Sequence, residues 1–181
     1  MKAQAKARWV VDPVHSSIEF AVRHMVIATV RGRFEKFNIE VQFDEDNPEK
    51  SSVEVRVDSA SIDTRERERD THLRSPDFFD VERSPQLIFK SRRVESLGGG
   101  RFSLVGDLTI RDATREVVLD TEFTGTAKDP WGKIRAGFNA QASISRRTFG
   151  LAWNVALEAG GWLVDDTVKI FIEAELVKQE Q

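Results

Sequence analysis

Apolar and polar residues alternate with a period of two along most of this chain, a pattern typical of β-strands that bury one face. In the clearest case, Val53, Val55 and Val57 alternate with Glu54 and Arg56. Turn-forming stretches such as LGGG and DPWG separate the alternating segments. These segments lie at 17–24, 37–43, 53–58, 87–89, 102–110, 119–123, 138–144 and 168–175. About eight strands with short connections predict an all-β fold, an antiparallel sheet either closed into a barrel or folded into a sandwich.

One segment breaks the alternation, a helical excursion around residues 63–80 between two predicted strands. Asp63 with Glu66 three residues later fits a capping box, which predicts a helical turn through RERERDTHL. Ser75 followed by Pro76 fits an N-cap and a first helical position, which predicts a second short helix over PDFFD. The paired aromatic residues of PDFFD indicate a cover that shields one barrel end from water. A gating role for this cover stays open.

The arginines near this excursion and near the end of the chain have more than one interpretation. We expect Arg74 to pair with Asp77 or Asp80, and the alternative is a contact with a phosphate group. We expect Arg146 and Arg147 to be exposed, where they are either solvated or attract a diphosphate.

Length and composition limit the classes of protein to consider. The 181 residues predict a single domain at 9–178 behind an N-terminal extension at 1–8. The chain has no cysteine, which excludes disulfides, thiolate metal sites and a cysteine nucleophile. Its net charge of −3 argues against binding duplex nucleic acid through the phosphates. No apolar run follows MKAQAKARW and no window is apolar enough to span a membrane, so we expect a cytoplasmic protein.

The usual catalytic motifs are missing from the sequence. It contains no G-x-S-x-G elbow, P-loop, G-x-G-x-x-G or H-E-x-x-H, and we predict no catalytic residue and no cofactor. His15, His24 and His72 lack the spacing of a metal site, and we predict none, although a fold can bring distant residues together. His24 shares the apolar face of its strand. It is either buried against a backbone partner or placed at the barrel mouth to meet a ligand head group.

Several segments, in the order in which they occur, carry a family resemblance. They are DPVHSSIEFAVRHM, TVRGRF, THLRSPDFFDVERSPQLIFKS, GDLTIRDATREVVL and the run DPWGK…GFNAQASISRRTFG. Together they resemble the YceI-like family of polyisoprenoid-binding, lipocalin-like proteins, from about Trp9 to about Val177. The resemblance implies an eight-stranded antiparallel β-barrel whose apolar lumen holds a long isoprenoid chain. It implies no catalytic residue.

The function expected from this resemblance is the binding, storage or transport of a long-chain isoprenoid lipid, either a polyprenyl phosphate or a prenylated quinone. An eight-stranded barrel has room for one small ligand, and small residues at Gly106, Ala140, Ala142 and Ala174 are expected to widen the lumen. The alternative is an enzyme that acts on an isoprenoid-type lipid with a histidine acid or base. Whether the chain forms a homodimer stays open. The residues predicted to face the ligand are Ile18, Phe20, Val22, His24, Phe78, Phe79, Phe89, Leu104, Leu108, Phe123, Phe138, Ala140, Ala142, Trp153, Trp162 and Ile170.

Overall fold

The computed structural model describes residues 6–44 and 46–180, and β-strands account for most of them. In chain order the strands are β1 (Ala7–Val11), β2 (Ser17–His24), β3 (Ala28–Phe34), β4 (Phe37–Phe43), β5 (Ser52–Asp58), β6 (Ile62–Asp63), β7 (Gln86–Gly98), β8 (Arg101–Ile110), β9 (Ala113–Lys128), β10 (Ile134–Ser145) and β11 (Val164–Lys178). The α-helix α1 (Arg67–Arg74) lies between β6 and β7. Of the expected N-terminal extension, residues 1–5 lie outside the described part of the chain, and β1 begins at Ala7.

Eight of these strands close into an antiparallel barrel, which confirms the predicted fold class. Hydrogen-bonded neighbours follow the order β1, β4, β5, β7, β8, β9, β10 and β11, and β11 pairs in turn with β1. The closing pair sets Val10 opposite Val177 and Val11 opposite Leu176. Because the ring is closed, none of its eight strands is an open edge that could pair with another chain.

The strands of the ring differ from the predicted set. β2, one of the predicted strands, lies outside it, pairs with the first part of β11, and continues into β3 and β6 as a three-stranded extension. β1 was absent from the prediction, yet it closes the ring and buries Ala7, Trp9 and Val11. The alternation of apolar and polar residues identifies a strand but not the strand that it pairs with. Strands pair through backbone N–H and C=O groups, which nearly every residue has, so the side chains do not specify the partner.

Two glycines allow aromatic rings to lie directly on the sheet. A Cβ atom on Gly106 would collide with the ring of Phe89 and with the backbone carbonyl of Lys90. A Cβ atom on Gly32 would likewise collide with the ring of Phe20. The expectation that Gly106 widens the lumen is therefore wrong, because the ring of Phe89 fills the space that the missing side chain leaves.

A charged cluster joins the β1–β2 connection to β10 and β11. Nη1 of Arg135 lies 2.7 Å from a carboxylate oxygen of Asp12 and 2.5 Å from one of Glu175, and Nε lies 2.9 Å from Asp129. Nδ1 of His15 lies 3.0 Å from Asp12. The ligand-type atoms of Asp12, His15 and Glu175 all lie within 4.8 Å of one another. Since the Arg135 cation already contacts both carboxylates, this cluster is an ion-pair network that opposes a metal ion.

The hydrogen bonds from His15 and then from Arg135 lower the pKa of Asp12 from 3.8 to about 2. A carboxyl group whose pKa is lowered by folding stabilises the fold above its ordinary pKa, and this stabilisation is lost as pH falls from about 4 to about 2. We expect Asp12→Asn to reduce the free energy of unfolding at pH 7 by roughly 1–2 kcal/mol. The difference in unfolding free energy between the variant and the unchanged protein should become smaller as pH falls from 7 to 2. Urea unfolding at a series of pH values measures this difference.

The matched control is Asp112→Asn, on the exposed β8–β9 turn. It should leave the unfolding free energy within about 0.5 kcal/mol of the unchanged protein at every pH, as is usual for surface positions. A deficit for Asp12→Asn that stays constant from pH 7 to pH 2 would contradict the role given to the ionised carboxylate.

Candidate functional site

An apolar cavity of about 510 Å³, here called cavity 1, occupies the end of the barrel beneath α1. Ten of the predicted ligand-facing residues line it: Ile18, Phe20, Val22, His24, Phe78, Phe79, Phe89, Leu108, Trp153 and Ile170. Val57, Leu73 and Leu119 also line it and were absent from the prediction. Val57 and Leu119 could have been predicted, because each lies on the apolar face of an alternating strand. Leu73 could not, because the sequence around it does not indicate which face of α1 is buried.

A second apolar cavity of about 240 Å³, here called cavity 2, lies away from α1, towards the other end of the barrel. The predicted residues Leu104, Phe123, Phe138 and Ala140 line it. Phe123 and Phe138 are register partners on β9 and β10, and their ring centroids lie 5.4 Å apart. The walls of both cavities are therefore built mostly from the inward faces of the alternating strands.

Two of the predicted residues line neither cavity. Ala142 on β10 packs against the hydrophobic core. Trp162 is 52% exposed, in the irregular connection between β10 and β11, and the guanidinium carbon of Arg147 lies 5.6 Å from the centre of its ring. Because that connection has no periodic pattern, its sequence does not indicate which of its side chains face inward.

The cover of cavity 1 consists of α1 and the turns that follow it, residues 75–84. Glu66 is the N-cap of α1, and its carboxylate accepts hydrogen bonds from the backbone N–H groups of Glu68 and Arg69. The predicted capping box placed the N-cap at Asp63, which is wrong, because Asp63 instead accepts from the backbone N–H of Arg65 before the helix begins.

The predicted second helix over PDFFD is also wrong, since the segment forms turns. Ser75 is the C-cap of α1 rather than an N-cap, and its Oγ donates to the carbonyl of His72 at 2.6 Å. The backbone N–H of Phe79 returns to the carbonyl of Leu73. Asp80 then takes a left-handed conformation with φ of 48°, which ends any helical path. The capping signals in the sequence are compatible with either a helix or turns over PDFFD. The packing of Phe78 and Phe79 against other aromatic rings selects the turns.

Phe78 and Phe79 attach the cover to two different segments, the β10–β11 connection and strand β3 of the three-stranded extension. The ring centroid of Phe78 lies 5.5 Å from that of Trp153 and 5.1 Å from that of His72. The ring centroid of Phe79 lies 5.8 Å from that of Phe34, with the rings edge to face. Edge-to-face and tilted pairs at such distances add to the stabilisation that burial provides. The cover is thus held by two separate aromatic contacts.

Two arginines fix the backbone of the cover. Arg74 donates to the carbonyls of Ala60 and Ile62, both at 2.9 Å, and the expected ion pair with Asp77 or Asp80 is absent. Arg111, on the β8–β9 turn, donates to the carbonyl of Phe78 at 3.1 Å. Guanidinium groups suit this role because their several N–H donors can satisfy carbonyls that the turns leave unpaired.

The sequence matches the YceI-like domain over residues 9–176. The chain belongs to the YceI-like family. It is 40% identical over 147 residues to a UPF0312 protein of Vibrio cholerae, a match that covers 80% of this chain and 78% of the relative.

Two solved structures share the fold of this YceI-like protein. Burkholderia cenocepacia BcnA superposes with a TM-score of 0.78 at 24% identity, covering 91% of this chain and 98% of that one. A structure described as a polyisoprenoid binding domain from Saccharophagus degradans, implicated in plant cell wall breakdown, superposes with a TM-score of 0.69 at 11% identity. That match covers 97% of this chain and 100% of the other. Among residues 6–44 and 46–180 of the YceI-like protein, no helix has the length and apolar character needed to cross a bilayer.

Polar side chains border cavity 1 of the YceI-like protein at its covered end. His24, at the end of β2, lines the cavity, and its ring makes no hydrogen bond to the described residues. His72 is held differently, because its Nε2 lies 2.8 Å from a carboxylate oxygen of Asp77. Arg69 also lines the cavity and donates to the hydroxyl and carbonyl oxygens of Thr64. The fold brings His24 and His72 to the same cavity, whereas His15 lies in the ion-pair network around Arg135.

Arg146 is buried, with 3% of its surface exposed, which corrects the expectation that it lies on the surface. Its Nη1 donates to the carbonyls of Leu151 and Trp153. Its Nε donates to the carbonyl of Asp165 at 2.8 Å and its Nη2 to that of Val164 at 3.2 Å. Burial lowers the pKa of its guanidinium from the ordinary value. One side chain therefore holds the start and the end of the irregular connection together beside cavity 1.

Replacing Arg146 with methionine should remove its hydrogen bonds to the carbonyls of Leu151, Trp153 and Asp165, whereas the carbonyl of Val164 keeps the one that it accepts from Asn154. We expect Arg146→Met to lower the free energy of unfolding by at least about 3 kcal/mol, since each unsatisfied buried carbonyl costs about 1–3 kcal/mol. The neighbouring change Arg147→Met is the control, because Arg147 is exposed, and it should cost less than about 1 kcal/mol. Equal losses in urea unfolding of the two variants would contradict this role for Arg146.

Proposed function

We propose that this protein binds, stores or carries a long-chain isoprenoid lipid, with the hydrocarbon chain inside the barrel. The main observation behind this proposal is that one closed barrel contains two apolar cavities, of about 510 and 240 Å³. Membership of the YceI-like family supports the proposal. So does the fold shared with a structure described as a polyisoprenoid binding domain.

Burial of hydrocarbon in these cavities is sufficient to hold such a ligand. Each buried CH₂ group contributes about 0.8 kcal/mol, so two isoprene units of five carbons each contribute roughly 8 kcal/mol before the ordering of the chain is subtracted. Aromatic and branched aliphatic side chains such as Phe20, Phe89 and Ile170 provide the apolar walls. No covalent chemistry is required for this function.

The distribution of polar groups gives the ligand a direction. Polar and charged side chains around cavity 1 lie at the covered end, and they include the cationic or neutral donors His24, Arg69 and Arg146 as well as the carboxylates of Glu66 and Glu68. The lining of cavity 2 has no charged residue, and its polar side-chain groups are the hydroxyls of Ser51, Thr121 and Thr126 and the buried indole N–H of Trp9, which makes no hydrogen bond to the described residues. A phosphate or quinone head group fits the covered end, where charged donors such as Arg69 are present, and the chain extends towards cavity 2, whose lining carries no charge.

The arrangement of the histidines favours binding over catalysis. A histidine acid or base is usually oriented by a hydrogen bond from a third group. His24 has no such bond to the described residues, and the bond of His72 to Asp77 joins two residues of the cover itself. We therefore propose a binding protein with a polyprenyl phosphate or a prenylated quinone as its ligand.

The first experiment is organic extraction of the purified protein followed by mass spectrometry of the extract. Masses that step by one isoprene unit, with a phosphate group or a quinone ring attached, would establish the ligand class and identify the head group. An extract that contains no isoprenoid, both before and after incubation with total cell lipids, would overturn the proposal.

A bulky side chain in the lumen should block the chain of the ligand. We expect Ala140→Trp, in the wall of cavity 2, to weaken the binding of a long-chain prenyl alcohol at least tenfold, because the indole ring fills space that the chain needs. The control is Gln141→Trp, the next residue on β10, which is exposed. It should leave affinity unchanged in the same titration. Equal affinities for both variants would exclude cavity 2 from the binding site.

A further inference from the structure

The interior of the barrel is divided into two compartments by three side chains. Val55, Leu119 and Ile172 are the residues that line both cavity 1 and cavity 2. Val55 and Leu119 are buried, and Ile172 packs against the same core. All three are branched aliphatic residues, so the boundary between the cavities is apolar and contains no group that could hold a head group.

The positions of these residues in the ring show that they project inward from separate sides. Val55 is on β5, Leu119 on β9 and Ile172 on β11. Around the closed ring, β9 is the third strand after β5, β11 is the second strand after β9, and β5 is the third strand after β11. The three side chains thus surround the lumen almost evenly, instead of forming a patch on one wall.

The register of the sheet places this ring of side chains at the junction of the cavities. Val55 is paired on one side with Phe89, which lines cavity 1, and on the other with Ile39, which lines cavity 2. Ile172 is likewise paired with Ile18, from cavity 1, and with a residue of cavity 2 on β10. Val55 and Ile172 therefore lie at the level of the boundary between cavity 1 and cavity 2.

We infer that Val55, Leu119 and Ile172 form a constriction that sets the length of isoprenoid chain that the barrel accepts, an inference that rests on the proposed function. A water molecule takes up about 30 Å³ in the liquid, and a methylene group of similar size gives cavity 1 room for about three isoprene units and the two cavities together room for about five. A chain of three units binds within cavity 1. A longer chain must pass between the three side chains to gain further burial in cavity 2.

The test is titration with uncharged prenyl alcohols of three and five isoprene units, so that head-group charge does not contribute. Leu119→Ala opens the constriction and should raise the affinity for the five-unit alcohol at least tenfold relative to the three-unit alcohol. Ile172→Phe narrows it and should lower that ratio at least tenfold. Val118→Ala is the control, because Val118 is the exposed neighbour of Leu119 on β9, and it should leave the ratio unchanged.

A second measurement does not depend on changes to the constriction. Trp9 lines cavity 2 and Trp153 lines cavity 1, so each reports on one compartment. In a variant that retains only Trp9, with the other three tryptophans changed to phenylalanine, the five-unit alcohol should shift the emission and the three-unit alcohol should not. A variant that retains only Trp153 should respond to both alcohols.

The outcomes separate this inference from the proposed function. In one outcome the unchanged protein binds both alcohols, the constriction variants have the same ratio of affinities for the five-unit and three-unit alcohols as the unchanged protein, and Trp9 responds equally to both. The constriction then does not select chain length, although the proposed lipid binding is still supported. If the unchanged protein binds neither alcohol, the proposed function fails and this inference fails with it.

Discussion

Closure of the hydrogen-bonded ring through β11 is the constraint on which the rest of this structure depends. The C-terminal part of β11 pairs with β1 and closes the barrel, while its first part pairs with β2 and leads to the three-stranded extension. One strand therefore completes the lumen and also places β2, which carries His24, along the wall of cavity 1. Since every ladder of the ring is antiparallel, inward residues of neighbouring strands meet at common levels, which is how cavities and a constriction can form.

The covered end of the barrel is organised by side chains that satisfy backbone groups. Arg74 and Arg111 donate to carbonyls in and around the cover, and the buried Arg146 holds the β10–β11 connection in the same way. Phe78 and Phe79 provide the apolar attachment. Such segments have few ladder hydrogen bonds of their own, so their conformation depends on these contacts. Of these three arginines, Arg146 also lines cavity 1, at the end of the lumen where we propose that a polar head group lies.

The two ends of the lumen differ in chemistry, and this difference connects the fold to the proposed function. An isoprenoid lipid has a long apolar chain and one polar end, and the interior has a similar gradient from the covered end to cavity 2. In a wholly apolar lumen a chain could bind in either direction, because the hydrophobic effect has no direction. Charged side chains at one end supply that direction, and the proposed constriction supplies a limit on length.

The sequence by itself determined the all-β class, the inward residues of most strands and the existence of a cover, because these follow from local periodicity and turn chemistry. Fourteen of the sixteen residues that it indicated line a cavity, although it missed other lining residues such as Val57 and Leu73. The tertiary structure decided which strands close the ring, the turns of PDFFD, the burial of Arg146 and the ring of Phe89 over Gly106. These features depend on contacts that the alternation does not encode, some with residues a few positions away, such as Leu73 with Phe79, and others with residues far apart in the chain, such as Phe78 with Trp153.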